Sequence, residues 1–210
     1  MTFDLFAALA AGYLLGGIPT AEIAARRRGE SIFGVGSGNM GAMNTARHVG
    51  ILPGILVLLA DVGKGAAATA LGLWMAEAIG AATLAGLALS LAAGLAAVVG
   101  HAWSPFVGFR GGKALATGFG VSLPLYPLGG LFGLVLLVAL VSIFRRTNAA
   151  TILMLVLYPL VVLSVLNRQG TPEGEAFAIF TGVVLLVFVS LVKHLRSRSR
   201  TPATDRADPR

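Results

Sequence analysis

The confinement of charge along this chain restricts its fold more than any other feature. Apolar runs at residues 3–25, 51–73, 78–99, 126–144, 148–166 and 177–192 are separated by short segments that hold nearly all the lysines and arginines. A helix crosses the ~30 Å hydrocarbon core of a bilayer with about 20 residues. Inside lipid the backbone must satisfy its own hydrogen bonds, so runs of this length predict helices. Charged residues make up 12% of the 210, against about 25% in soluble domains, and hydrophobic ones 56%. Mean hydropathy is +0.85. The chain reads as an all-α, polytopic membrane bundle, with a single domain over residues 1–200 and a disordered tail over 201–210.

Sidedness follows from the basic residues. Arg26, Arg27 and Arg28 close the first run and mark a cytoplasmic segment. This places Met1 outside and residues 26–50 inside. Gly16, Gly17 and Pro19 predict a kink in the first helix, and Glu22 is expected at the interface. A short helix over 114–123, ended by Pro124, is read as crossing, because a re-entrant path would leave Arg145 and Arg146 outside. The count becomes about seven transmembrane helices, one of them short, with residues 167–175 as an outer turn and the C-terminus cytoplasmic. On that count Arg168 alone among 16 Lys and Arg falls in an outer loop and Lys64 in a span; the other fourteen lie near the inner face. The first run lacks a preceding basic segment and is read as a retained helix rather than a signal peptide. No tandem repeat or inverted pair of spans is evident.

The net charge of +7 and pI of 10.8 would suggest nucleic acid in a soluble protein. Here the bias of membrane loops accounts for them, and no nucleic-acid partner is expected. The absence of cysteine excludes disulfide and thiolate chemistry. His48, His101 and His194 lack the spacing of a zinc site, so neither metal nor cofactor is expected.

Two glycine-rich breaks fall on the same predicted side. The first, GSGNMGAMNTAR over 36–47, alternates Gly36, Gly38 and Gly41 with Ser37 and Asn39, a sequence that resists regular helix. Such a stretch presents consecutive backbone N–H groups as an anion nest, to which Ser37, Asn39 and Asn44 add side-chain donors and Arg47 a bidentate fork. An ordinary interfacial loop is the competing reading. The second, GHAWSPFVGFRGGKALAT over 100–117, sets Gly111 and Gly112 before Lys113 and a helix start at Ala114, where an anion would rest. It is not a Walker loop, because the required earlier glycine is missing. Trp103, Phe106 and Phe109 suit interfacial anchoring. His101 fits a general base or a helix-ending donor equally, and Ser104, before Pro105, fits a cap. Asp61 and Lys64, at i,i+3 within the second run, fit either a neutralising pair that pins the bundle or support for the adjacent loop.

These two motifs together resemble those of the bacterial acyl-phosphate-dependent glycerol-3-phosphate acyltransferases. The resemblance extends over residues 36–144 and more weakly to His194, and includes the spacing of Asp61, Lys64 and Gly65. It implies acyl transfer from acyl phosphate to the 1-hydroxyl of glycerol 3-phosphate, giving lysophosphatidic acid for phospholipid synthesis at the cytoplasmic face of the bacterial inner membrane. It also implies that another enzyme supplies the acyl phosphate. By position Ser37 and Arg47 match residues that hold glycerol 3-phosphate, Lys113 a lysine between two phosphates, and His194 a histidine near the substrate. Lys113, Arg47 and His194 are the expected catalytic set. Ser37, Gly38, Asn39, Gly41, Asn44, His101, Ser104, Gly111, Gly112, Thr117 and Asn148 are the expected substrate-binding set. The family works by positioning, with substrate phosphate helping to take the proton. That agrees with the residues: two anionic reactants must be neutralised and aligned before anything else. An apolar groove between helices would house the acyl chain.

The chain departs from the family pattern at several points. Met43 replaces a threonine, Arg110 a lysine and Ala114 a glycine. Asn148 and Thr151 stand near two family serines, and Ser197 replaces an asparagine. Residues 31–35 stand where an Asp-x-Arg segment is usual. Two other classes remain open at this level: a non-catalytic phosphate- or lipid-binding membrane protein, and a transporter of a phosphorylated metabolite.

Overall fold

The computed structural model describes residues 2–144 and 147–198, and the long regular elements among them are all helices. The helices are α1 (Thr2–Gly17), α2 (Thr20–Arg26), α3 (Ala42–His48), α4 (Ile51–Ala78), α5 (Thr83–Ala102), α6 (Leu115–Leu125), α7 (Pro127–Phe144), α8 (Thr147–Arg168) and α9 (Glu173–Arg198). Five stretches are long and apolar enough to cross a membrane: Thr2–Arg26, Ile51–Ala78, Thr83–Ala102, Thr151–Arg168 and Glu173–Arg196. α6 is a shorter apolar helix between them. Large side chains such as Phe6, Leu52, Leu59, Trp74, Phe132, Val156 and Phe188 point outward and are exposed. An apolar exterior around a bundle is what a lipid solvent selects.

The expected kink in the first helix is a full break. Pro19 lacks an N–H and cannot continue the ladder, so α1 stops at Gly17 and the chain restarts at Thr20. The carbonyls released there are used by distant segments. Ser104 Oγ donates to the Gly17 carbonyl at 2.5 Å and Lys64 Nζ to that of Ile18 at 3.1 Å.

Small residues set the helix spacing. Gly12 and Gly16 of α1 lie directly against the carbonyls of Ala93 and Ala97 of α5, and Gly100 of α5 lies against that of Tyr13. A Cβ at any of the three would collide with backbone. Between α4 and α6 the same approach uses Gly65 against Thr117 and Gly120 against Val62. Without a hydrophobic drive between helices in lipid, this close packing is a main source of association.

The structure corrects two local expectations. Residues 42–48 are helical, because the glycines end at Gly41 and the following stretch has none. α6 begins at Leu115 rather than Ala114, which is the N-cap at φ 59°, and Pro124 sits inside its last turn rather than ending it. Glu22 is buried against protein.

Candidate active site

Each glycine-rich break is held by side chains that bond backbone. The Glu22 carboxylate accepts from Arg26 Nε at 2.7 Å, Ser31 Oγ at 3.0 Å and the Ile32 amide at 2.9 Å, fixing the entry to the first loop. Asn44, buried on α3, closes it. Its Oδ1 accepts from the Ser37 amide at 3.1 Å, and its Nδ2 donates to the Val35 carbonyl at 3.1 Å. Gly36 adopts φ 53°, and a side chain there would strike the His48 ring.

The second loop is tied at both ends. The Ser104 amide donates to the Arg110 carbonyl at 3.0 Å, the Phe109 amide to the Ser104 carbonyl at 2.8 Å, and the Gly112 amide to the His101 carbonyl at 3.1 Å. Tyr13 of α1 donates to the Trp103 carbonyl at 2.8 Å. Lys193 of α9 donates to the Ala102 carbonyl and stands 5.2 Å from the Trp103 ring centroid. The loops meet each other in two places. The Arg110 guanidinium covers the Phe33 ring at 3.8 Å, and Gly112 fits between the His101 ring and the Met40 carbonyl.

A cavity of about 300 Å³ opens where the loops meet. Ser37, Asn39, Gly41, Asn44 and Arg47 line it from the first loop and α3, and His101 and Lys113 from the second. Residues 113–116 all line it, so the first turn of α6 faces the space with its unsatisfied N–H groups. Seven of the fourteen site residues expected from the sequence are thereby brought together. The other residues fall elsewhere. Gly38, Gly111 and Gly112 shape the loops without lining the cavity. Ser104 is buried and spent on Gly17. Thr117 is buried at the α4–α6 contact, and His194 is buried on α9. Asn148 and Ser197 have side chains outside the described residues.

The wall also contains Asp61, which the expected set omitted. Its Oδ1 accepts from Lys64 Nζ at 2.9 Å and from Thr20 Oγ1 at 2.7 Å, and lies 3.5 Å from His101 Nδ1. Asp61, Lys64 and His101 are all buried. The pair neutralises itself, as the first reading of it has it, and its carboxylate also backs a cavity histidine, His101 of α5. An ionisable pair inside a span was the available pointer. Ala42, Met43, His48, Leu58, Leu137 and Thr151 complete the lining; Met43 and Thr151 stand at positions where the chain departs from the family pattern, whereas Leu58 and Leu137 had no pointer in the sequence. Chemically, the cavity offers one guanidinium, one ammonium, two hydroxyls, two imidazoles, amides and a helix start, with its one lining carboxylate among the described residues matched by Lys64. Such a donor set favours anions.

Fold and cavity together define a polytopic membrane protein with a cationic chamber enclosed by two glycine-rich loops. A family profile described as Glycerol-3-phosphate acyltransferase matches residues 6–202. A Deinococcus radiodurans protein named glycerol-3-phosphate acyltransferase 1 is 41% identical over 153 residues, covering 73% of each chain. A Trichlorobacter lovleyi glycerol-3-phosphate acyltransferase is 36% identical over 200 residues, covering 95% of this chain and 94% of that one. Among solved structures, PlsY, an integral membrane glycerol 3-phosphate acyltransferase, superposes in its glycerol 3-phosphate form with a TM-score of 0.75. Sequence identity to it is 26%, with 93% of this chain and 90% of that one covered. Its lysophosphatidic acid form gives a TM-score of 0.71 at 25% identity. The chain belongs to the glycerol-3-phosphate acyltransferase family.

Proposed function

We propose that this protein transfers an acyl group from an acyl phosphate to the 1-hydroxyl of glycerol 3-phosphate. The observation that carries the reading is the gathering of Arg47, Lys113 and Ser37 around one cavity from two distant loops. An acyl phosphate is an activated mixed anhydride, so the barrier lies mainly in bringing two anions together in line. Arg47 holds the phosphate of glycerol 3-phosphate with its fork. Lys113 and the first turn of α6 carry the acyl phosphate and the charge that develops on its carbonyl oxygen. The O1 atom bonds to the acyl carbon, the carbon–oxygen bond to phosphate breaks, and the hydroxyl proton leaves with the departing phosphate. The products are lysophosphatidic acid and inorganic phosphate.

On this reading the chain crosses a bacterial inner membrane seven times, with the N-terminus outside and the cavity and C-terminus facing the cytoplasm. The concentration of Arg26, Arg27, Arg28, Arg47, Arg110 and Lys113 on segments around one end of the bundle supports that orientation. Ser104 and the loop glycines then act by holding the loops, Thr117 sits where α6 packs on α4, and His194 and Asn148 remain candidates for the substrate site.

The test is incubation of the purified protein in detergent with palmitoyl phosphate and labelled glycerol 3-phosphate and no other donor. Labelled lysophosphatidic acid is expected, and Lys113→Ala is expected to abolish it while eluting as the parent does. Binding of glycerol 3-phosphate with no product would overturn the reading in favour of a binding protein. Product formed at the parent rate by Lys113→Ala would overturn the site.

A further inference from the structure

The three consecutive arginines at the end of α2 do not share one role. Arg26 turns back to Glu22 at 2.7 Å. Arg27 and Arg28 have no carboxylate partner among the described residues, and both line a second cavity of about 360 Å³, separate from the first. It is a groove between α2 and α4. One wall is Thr20, Ile23, Ala24 and Arg27, and the other is Pro53, Leu56, Val57 and Ala60. Each set repeats at i, i+3, i+4 and i+7, so each is a single helical stripe. The helices run in opposite directions. The Thr20 bond to Asp61 places Thr20 beside Ala60 at one end, and Arg27 and Arg28 flank Pro53 at the other. The groove is therefore cationic at its mouth, apolar along its length, and about 10 Å long at 1.5 Å per residue. Its side opens to the bilayer, because Ile23 and Leu56 are 42% and 56% exposed.

We infer that this groove is a site for one anionic glycerophospholipid of the surrounding bilayer. Arg27 and Arg28 hold its phosphate, and the upper part of one acyl chain lies along Ile23, Ala24, Leu56 and Val57. Charge complementarity selects the occupant. A zwitterionic lipid brings its own cation to a mouth already holding two, and a soluble anion has no use for the apolar walls. Diffuse attraction of anionic lipids to basic segments is general, but it needs no groove, and that separates the two readings experimentally. The deep end closes on Thr20, whose hydroxyl is bonded to Asp61 in the wall of the first cavity. The bound lipid thus lies one side chain from the candidate active site, without sharing a residue with it.

The experiment is native mass spectrometry of the full-length protein from micelles holding equal amounts of phosphatidylglycerol and phosphatidylethanolamine. The parent should retain one phosphatidylglycerol with about a tenfold preference. Arg27→Gln with Arg28→Gln should bring retention of the two lipids to parity, and the paired lysine variant should restore much of the preference. Arg196→Gln, which removes an exposed charge of the tail helix outside the groove, should leave it unchanged. Ala24→Phe fills the groove and keeps both guanidinium groups, so it should expel the lipid. Each variant's melting in detergent checks that it folds. Equal retention of both lipids by the parent, survival of the preference without the arginines, or undiminished binding by Ala24→Phe would each overturn the site. Acyl transfer is not read in this experiment, so its outcome is independent of the proposed reaction.

Discussion

Two of the buried polar clusters among the described residues are built differently. Around Asp61, charges from α4 meet the broken α1–α2 helix and His101, and the cluster forms part of a cavity wall. Around Ser122, the cluster is neutral and closed. Its hydroxyl lies 2.9 Å from that of Tyr126 and 2.5 Å from that of Tyr158, beneath the edge-on Phe119 ring. The hydroxyls satisfy one another and tie α6 to α8. The charged cluster ties helices too, but it is placed where a ligand would feel it. A buried ion pair is poor value as glue compared with apolar packing. On the proposed function, its retention beside the cavity makes that half of the bundle the working half and the hydroxyl half its support.

Mutations should separate the halves, with the strongest effects at the cavity. Arg47→Ala and Lys113→Ala should each lower kcat/KM by about a thousandfold, near 4 kcal/mol, with unchanged melting in detergent. Asp61→Asn leaves the Lys64 ammonium buried without its counter-charge. It should cost about 3 kcal/mol of stability in a thermal melt, and Asp61→Leu with Lys64→Met should recover most of that. If the double variant is as stable as the parent and also as active, the cluster is glue after all and the contrast fails. Gly112→Ala drives a methyl into His101 and the Met40 carbonyl, displacing one loop from the other. A loss of about a hundredfold in turnover is expected, with little change in melting. Tyr158→Phe removes one neutral hydrogen bond, so about 1 kcal/mol of stability should be lost with turnover retained.

The sequence carried the architecture where a residue type has one structural consequence. Pro19 after paired glycines interrupts a helix, and the long apolar runs are helices, five of them long and apolar enough to cross a membrane. It carried both loops, because glycine alternating with Ser, Asn and basic residues is unusual beside apolar segments. It did not carry the partners of polar side chains. Ser104, Asn44 and Glu22 have the chemistry of ligand contacts or interface residues, yet each is bonded to backbone. Which carbonyl a hydroxyl meets depends on distant segments, here 87 residues apart for Ser104 and Gly17. Asp61 shows the reverse case. Its spacing from Lys64 was legible, but the third contact with His101 exists only once α4 and α5 are packed.

The glycine contact between α1 and α5 bears on which substitutions this protein can accept. At Gly12, Gly16 and Gly100 a single added carbon lands on a backbone carbonyl, which cannot rotate away. Every other amino acid carries that carbon. Lipid-facing neighbours such as Phe6, Leu9 and Leu14 touch a fluid and can be exchanged for most apolar residues. In a saturation library the α1 helix should therefore read as a code with two alphabets, one letter at the contact and many on the other face.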